Sequence, residues 1–225
     1  MRRKLALAFA LVAVLSTTMV GAYGLVSTLG QAEARIDTEY ATQSLIIAQD
    51  IKAALHRVEE DVIFLSRTPP IQGIVRARDG QGRDELEGST YQMWVERMQM
   101  IFEAMMRTTG TYVQLRYLDE TGNELVRVDY DGQQTRRIPP EELQNKSDRY
   151  YFTETMKLAT GQVYASPLDL NRERGQIEAP FKPTIRYATP VFDPQGRRRG
   201  MVIINVLATP ILQTGLTLPG EGQAT

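Results

Sequence analysis

Two basic residues, Lys146 and Arg149, stand directly before three consecutive aromatic residues, Tyr150, Tyr151 and Phe152. An arginine can hold a carboxylate through a two-pronged ion pair, while a tyrosine adds a hydroxyl group and a flat apolar wall. The short helix expected here would also present backbone amides to an anion at its start. This stretch therefore has the composition of a cradle for a small anionic ligand.

A third basic residue, Arg186, lies within the apolar strand pattern Ile185–Phe192. If its side chain points inward it needs an anion, because burying an unpaired charge is unfavourable. Asp129 or Asp169 could supply that anion from within the protein, or an external ligand could supply it. The candidate ligand-binding residues are Arg149, Tyr151, Arg186, Lys146, Arg127 and Asp169.

The sequence contains few residues suited to catalysis or to metal binding. His56 is the only histidine and there is no cysteine, so serine or cysteine nucleophiles would lack a base. Residues 169–175 resemble the start of a calcium loop, but the glycine comes one place late and Pro180 stands where the closing Glu is needed. The formal charge of −1 does not favour nucleic acid. No enzyme activity, metal or cofactor is predicted.

The N-terminus has the pattern of a membrane anchor. Residues 1–4 are basic and expected in the cytoplasm, and residues 5–26 are apolar and long enough to cross a bilayer as a helix. The alternative is a signal peptide with the processing site Val20–Ala22, whose cleavage would release a secreted binding protein that begins at Tyr23.

Residues 27–68 follow as a long amphipathic helix, and Pro69–Pro70 marks its end. Its apolar face could pack on the domain, pair with a second copy in a homodimer, or do both. A polar loop is expected at Ala77–Ser89, and a second helix from Tyr91 ends at Gly110.

The remainder of the chain predicts an α+β domain, with an antiparallel five-stranded sheet and flanking helices. A short helix, Asp148–Ala159, is expected to be capped by Ser147. The predicted strands are Tyr112–Leu118, Glu124–Tyr130, Gln162–Ser166, Ile185–Phe192 and Met201–Leu207.

Together these residues resemble the Cache sensor domains, the PAS-like extracytoplasmic modules of bacterial histidine kinases, diguanylate cyclases and chemoreceptors. The resemblance covers nearly the whole chain. Besides the membrane helix that runs into a long helix, it is carried by Arg116–Glu124, Val126–Asp129, Leu143–Phe152, Gly161–Asn171 and Arg186–Asp193.

The resemblance implies a ligand site with two departures from the family pattern. In amino-acid-binding members an Arg, one further residue, then Trp and Tyr hold the carboxylate, and a later Asp holds the amino group. Arg149 matches the Arg, but Tyr151 and Phe152 replace the aromatic pair, and Arg186 lies where the Asp is sought. We therefore expect a carboxylate or another anion rather than a simple amino acid.

The resemblance also implies a domain order. Residues 69–207 would be the membrane-distal module of a double Cache receptor, and residues 208–225 would lead toward a membrane-proximal module, a second membrane helix and an output domain that this sequence lacks. The expected localisation is the cytoplasmic membrane, with the domain outside. The alternative function is a membrane-anchored scaffold, which a tight, ligand-independent oligomer under native mass measurement would favour.

Overall fold

The computed structural model describes residues 2–173 and 176–216. The second half of the predicted connector 208–225 and the end of the calcium-like stretch 169–175 lie outside the described residues. The chain divides into two compact units, Met1–Asp50 and Ile51–Thr225, which are described separately.

The first unit is entirely helical over its described residues and belongs to helix α1 (Arg2–Ser66). Large apolar side chains such as Leu11, Leu15 and Leu25 are exposed there. Within α1, Phe9–Gln31 is long and apolar enough to cross a membrane. A signal sequence meets the same two criteria, so the choice between anchor and signal peptide stays open.

In the second unit, three helices pack on one face of the sheet. The last turns of α1 are followed by α2 (Pro69–Asp79) and α3 (Tyr91–Thr109). Helix α2 was missed because Pro69–Pro70 ends α1 but also begins the next helix, where the first turn needs no N–H donor. Because α2 extends to Asp79, the loop predicted at Ala77–Ser89 begins only after that residue. Helix α3 ends at Gly110, as predicted.

The described residues form nine strands: β1 (Tyr112–Leu118), β2 (Glu124–Tyr130), β3 (Thr135–Arg137), β4 (Tyr164–Ala165), β5 (Asp169–Leu170), β6 (Arg172–Glu173), β7 (Gln176–Ile177), β8 (Pro183–Phe192) and β9 (Arg198–Leu207). Seven of them make one antiparallel sheet instead of the predicted five, because the short strands β3 and β5 extend the five that were predicted. Strand order is β3-β2-β1-β9-β8-β4, with β5 also pairing with β8, while β6 and β7 pair separately.

The two faces of the sheet differ in character. One carries the main apolar core, because alternate residues of each strand point to the helices; its buried members include Val62, Phe102, Leu115, Val128 and Ile204. The opposite face has a smaller apolar cluster, formed by Leu118, Ala188, Met201 and Ile203 with Tyr151 and Phe152 of α4 (Tyr150–Thr155). The remainder of that face is polar. A last helix, α5 (Thr209–Leu216), follows β9.

Two contacts tie the helical side together. Trp94 of α3 is buried and donates its indole N–H to the Asp84 carboxylate (3.1 Å), which also accepts two hydrogen bonds from Arg76 of α2. The Arg76 partner holds the pKa of Asp84 below its ordinary value. At the start of β1, the Tyr112 hydroxyl donates to Asp61 of α1 (2.5 Å).

The loop 143–149, which carries Lys146 and Arg149, docks on the turn between β1 and β2. The Lys146 N–H donates to the Gly122 carbonyl (2.8 Å), and the Asn145 amide donates to the Thr121 carbonyl (3.1 Å). Ser147 does not cap α4 as predicted, because its hydroxyl donates to the Asn145 side chain (2.6 Å) and the residue that precedes α4 is Arg149.

We predict that Gly122→Ala destabilises the domain by about 1 to 3 kcal/mol more than Gly196→Ala. Both glycines lie in Asp-x-x-Gly turns at positive φ, 86° and 76°. A Cβ at Gly122 would lie 2.7 Å from the Ser147 backbone nitrogen, whereas a Cβ at Gly196 meets open space. Urea unfolding followed by Trp94 fluorescence measures the difference, and equal losses would contradict the docking role of this turn.

Candidate functional site

Three arginines, Arg116, Arg127 and Arg186, are buried on the polar face of the sheet. They belong to β1, β2 and β8, where side-chain alternation directs them away from the main core. Arg116 and Arg127 are direct cross-strand partners. Because two like charges side by side repel each other and burial strengthens that repulsion, this face needs carboxylates of its own.

Glu124 compensates the Arg116–Arg127 pair. Its fully buried side chain lies 3.3 Å from Arg116 Nη1 and 3.8 Å from Arg127 Nη1. Arg127 also forms a two-pronged ion pair with Asp129, at 2.9 and 2.7 Å. Arg116 additionally donates to the Tyr151 hydroxyl (3.2 Å), so the compensated pair also fixes one residue of α4.

Arg186 finds its anion within the protein. Its guanidinium group is paired with Asp169, while Asp129, the other carboxylate considered from the sequence, pairs with Arg127. Tyr150 donates its hydroxyl to the same Asp169 (2.8 Å). Burial and this hydrogen bond raise the pKa of Tyr150 above its ordinary value. Pairing of β5 with β8 brings Asp169 close to Arg186.

Tyr151 is buried beside two of the other predicted ligand residues, Arg149 and Arg186. Three guanidinium groups surround its ring, with centroid distances of 5.5 Å for Arg116, 5.6 Å for Arg186 and 5.9 Å for Arg149. Among the residues that the structure describes, no carboxylate forms an ion pair with Arg149. Lys146 is also buried, and its side chain donates to the Gln144 side chain (2.9 Å).

A cleft of about 380 Å³ opens at the β2 end of the polar face. Of the predicted residues, Arg127 lines it, whereas Arg149, Tyr151, Arg186, Lys146 and Asp169 do not. It is lined by Val113, Gln114, Arg127, Asp129, Tyr130, Asp131, Gln134, Arg136, Ile138, Glu142, Gln144, Asn171, Glu178 and Lys182.

Some of the missed cleft residues had a signal in the sequence and others had none. Gln114 and Asp129 alternate with apolar residues in β1 and β2, on the same face as Arg116 and Arg127, so strand periodicity could have found them. Asn171, Glu178 and Lys182 follow no regular pattern. The cleft presents both donors and acceptors, which suits binding of a polar molecule. Among the described residues, no group of three metal-ligating side chains is present.

A family model described as "Bacterial histidine kinase, sensor domain" matches residues 90–214, more than half of the chain. No curated protein matches the sequence. Among solved structures, a domain of a sensory box/GGDEF family protein from Vibrio parahaemolyticus superposes with a TM-score of 0.64 at 23% identity, covering 75% of this chain and 59% of that one.

Two further structures share the fold at lower identity. The histidine kinase DctB sensor domain of V. cholerae has a TM-score of 0.54 at 15% identity, covering 79% of this chain and 58% of that one. The ligand-binding domain of the Campylobacter jejuni chemoreceptor Tlp3, in complex with 4-methylisoleucine, has a TM-score of 0.56 at 9% identity, covering 79% and 61%. The chain thus spans about three fifths of the length of these structures.

We predict that Glu124→Gln lowers the free energy of unfolding by about 3 to 5 kcal/mol, because the buried Arg116 loses its carboxylate. Glu142→Gln is the matched control. It breaks an exposed ion pair with Arg136 (2.5 Å) and should cost less than about 1 kcal/mol. Urea unfolding measures both values, and a similar small loss for both variants would show that Glu124 does not compensate the buried arginines.

Proposed function

This chain belongs to the bacterial histidine kinase sensor domains, and on that premise we propose that it binds a small anionic ligand, a carboxylate, on the polar face of its sheet. The family match confirms the resemblance to bacterial sensor domains, which makes the chain a sensor module and not an enzyme. The observation that carries the ligand proposal is Arg149, a partly exposed cation that no described carboxylate neutralises.

The surroundings of Arg149 support an anion at this place. Its guanidinium group lies over the Tyr151 ring, which holds it near two further buried guanidinium groups, those of Arg116 and Arg186. Those two arginines are compensated by Glu124 and Asp169, so they add little net charge. An anion that reaches Arg149 therefore meets one uncompensated charge in a partly desolvated place, where an ion pair is stronger than on the surface.

The dimensions of the neighbouring cleft also support a small molecule. Its volume of about 380 Å³ lies within the usual range of ligand sites, about 300 to 1,000 Å³. Arg127 borders the cleft with its guanidinium group, which Asp129 already orients. Gln144 lines the cleft and accepts a hydrogen bond from the Lys146 side chain, so a second predicted ligand residue is bonded to the cleft lining.

We predict that at least one carboxylate in a panel of organic acids and amino acids raises the melting temperature of residues 31–225. Arg149→Ala should weaken that ligand about tenfold or more, since a charged hydrogen bond contributes about 1.5 to 3 kcal/mol. Arg97→Ala is the matched control, because Arg97 also stacks on an aromatic ring, at 4.3 Å from Trp94, but on the helical side. The proposal is wrong if no compound raises the melting temperature and the melting temperature of Arg149→Ala equals that of the wild type.

We further propose that the N-terminal helix anchors the chain in the cytoplasmic membrane, with residues 1–4 inside and the domain outside. The apolar span Phe9–Gln31 supports this orientation, since the basic residues Arg3 and Lys4 lie before it. Residues 27–68 would then join the membrane to the sensor domain 69–207, and 208–225 would lead on to a further module. Signal output by a kinase belongs to the same proposal.

The absence of cysteine makes the orientation measurable with single introduced cysteines. We predict that a membrane-impermeant maleimide labels Thr160→Cys, an exposed position, in intact cells with a permeabilised outer membrane. Arg3→Cys should react only after lysis. A mature N-terminus at Tyr23 and release of the protein by carbonate washing would instead indicate a secreted binding protein.

A further inference from the structure

Asn205 is a buried polar residue in the centre of an apolar strand. It interrupts the run Met201–Val206 of β9, and its side chain is 0% exposed. An amide buried in such a place destabilises a protein unless its donors and acceptor are bonded. Its role therefore depends on the groups to which it bonds.

All polar atoms of the Asn205 side chain have partners. Its oxygen accepts from Arg116 Nη2 (3.2 Å), and its nitrogen donates to Gln114 Oε1 (3.2 Å) and to Asn171 Oδ1 (3.4 Å). Because a guanidinium group can only donate, Arg116 decides which end of the Asn205 amide is the oxygen. The hydrogen bond from Arg116 therefore distinguishes the oxygen of this amide from its nitrogen, although the two atoms are similar in size.

The orientation of Asn205 sets that of Gln114 in turn. Gln114 turns its oxygen toward Asn205, so its nitrogen donates to Asp129 Oδ1 (3.0 Å). These residues are cross-strand neighbours, since Asn205 pairs with Gln114 and Gln114 pairs with Asp129. A polarised row of hydrogen bonds thus runs from the buried Arg116 across three strands to a carboxylate of the cleft.

Asn171 is held in the same way from the other side. Its oxygen accepts from Arg186 Nη2 (3.2 Å) as well as from Asn205, so its nitrogen donates to Glu178 Oε2 (2.8 Å). Glu178 and Asp129 both line the cleft, while Asn205 itself does not. Asn205 is therefore the group that both rows share.

We propose that Asn205 is a positioning residue for the ligand cleft. It directs the side-chain N–H groups of Gln114 to Asp129 and, together with Arg186, those of Asn171 to Glu178. It thereby influences which hydrogen-bonding atoms these four residues offer to a bound molecule. The proposal rests on the proposed function in that the cleft is taken as part of the ligand site. Its test needs no ligand, so a failed ligand screen and a failed positioning role are separate results.

The test uses the full chain in detergent micelles with ¹⁵N-labelled Gln and Asn. Side-chain amides of Gln114 and Asn171 are assigned by difference with Gln114→Glu and Asn171→Asp. We expect Asn205→Leu to raise the hydrogen-exchange rate of the Gln114 side-chain amide about tenfold or more, because Gln114 loses the bond that Asn205 donates to its oxygen. The Asn171 amide should change less, because Arg186 still donates to the Asn171 oxygen. Thr189→Val is the matched control, since it removes the side-chain hydrogen bond of another buried residue, to the Gln162 carbonyl (2.8 Å), away from the cleft.

Asn205→Asp provides a second variant that keeps an acceptor for Arg116. An aspartate cannot donate to Gln114, so we expect the Gln114 amide to rotate, and its nuclear Overhauser contact to move from Asp129 to residue 205. A Gln114 exchange rate within about twofold of wild type in a folded Asn205→Leu chain would overturn the proposal. So would a Gln114 contact that stays on Asp129 in Asn205→Asp, or rates raised equally by Thr189→Val.

Discussion

Arg116 and Arg127 lie directly opposite each other on adjacent strands, and their guanidinium groups are almost completely removed from solvent. Such an arrangement holds only if a carboxylate reaches both charges, and Glu124 does so from the start of β2. Glu124 also accepts from the Gln144 N–H (3.0 Å), so the same carboxylate ties down the start of the loop 143–149. The position of Lys146, Arg149 and α4 above the sheet therefore depends on how two buried charges are compensated.

The two faces of the sheet differ in what they contribute to the domain. The helical face packs apolar side chains from α1, α2 and α3 against alternate strand residues, and this burial supplies the main stabilisation. The polar face gives up part of that stabilisation, because buried ion pairs seldom stabilise more than apolar packing would. What it gains is a set of oriented donors and acceptors around a cleft. A sensor domain needs both, since one face holds the fold while the other can recognise a molecule.

Strand periodicity and turn chemistry predicted the centre of this fold well. Strands β1 and β2 have the predicted bounds, because alternating apolar residues flank an Asp-x-x-Gly turn at Gly122. Of the candidate site residues, Arg149 and Arg186 lie beside Tyr151, and Asp169 joins them through its ion pair with Arg186. The sequence could not decide whether Asp129 or Asp169 pairs with Arg186, because that depends on the two-residue strand β5 joining the edge of β8. Strands so short carry no periodic signal, and the cleft residues that follow β5 were missed for the same reason.

Trp94, the only tryptophan of the chain, has a spectroscopic consequence. Its indole is enclosed by Arg97 and Arg76 and bonded to Asp84, all on the helical side of the sheet, whereas the tyrosines Tyr150 and Tyr151 lie on the polar side. Emission excited at the red edge of the absorption band, where tyrosine does not absorb, therefore reports the integrity of the helical layer. Tyrosine signals do not separate the two layers, because Tyr112, Tyr117 and Tyr187 belong to the helical-side core while Tyr151 lies on the polar face. The tryptophan is therefore the natural optical probe that is specific to one face.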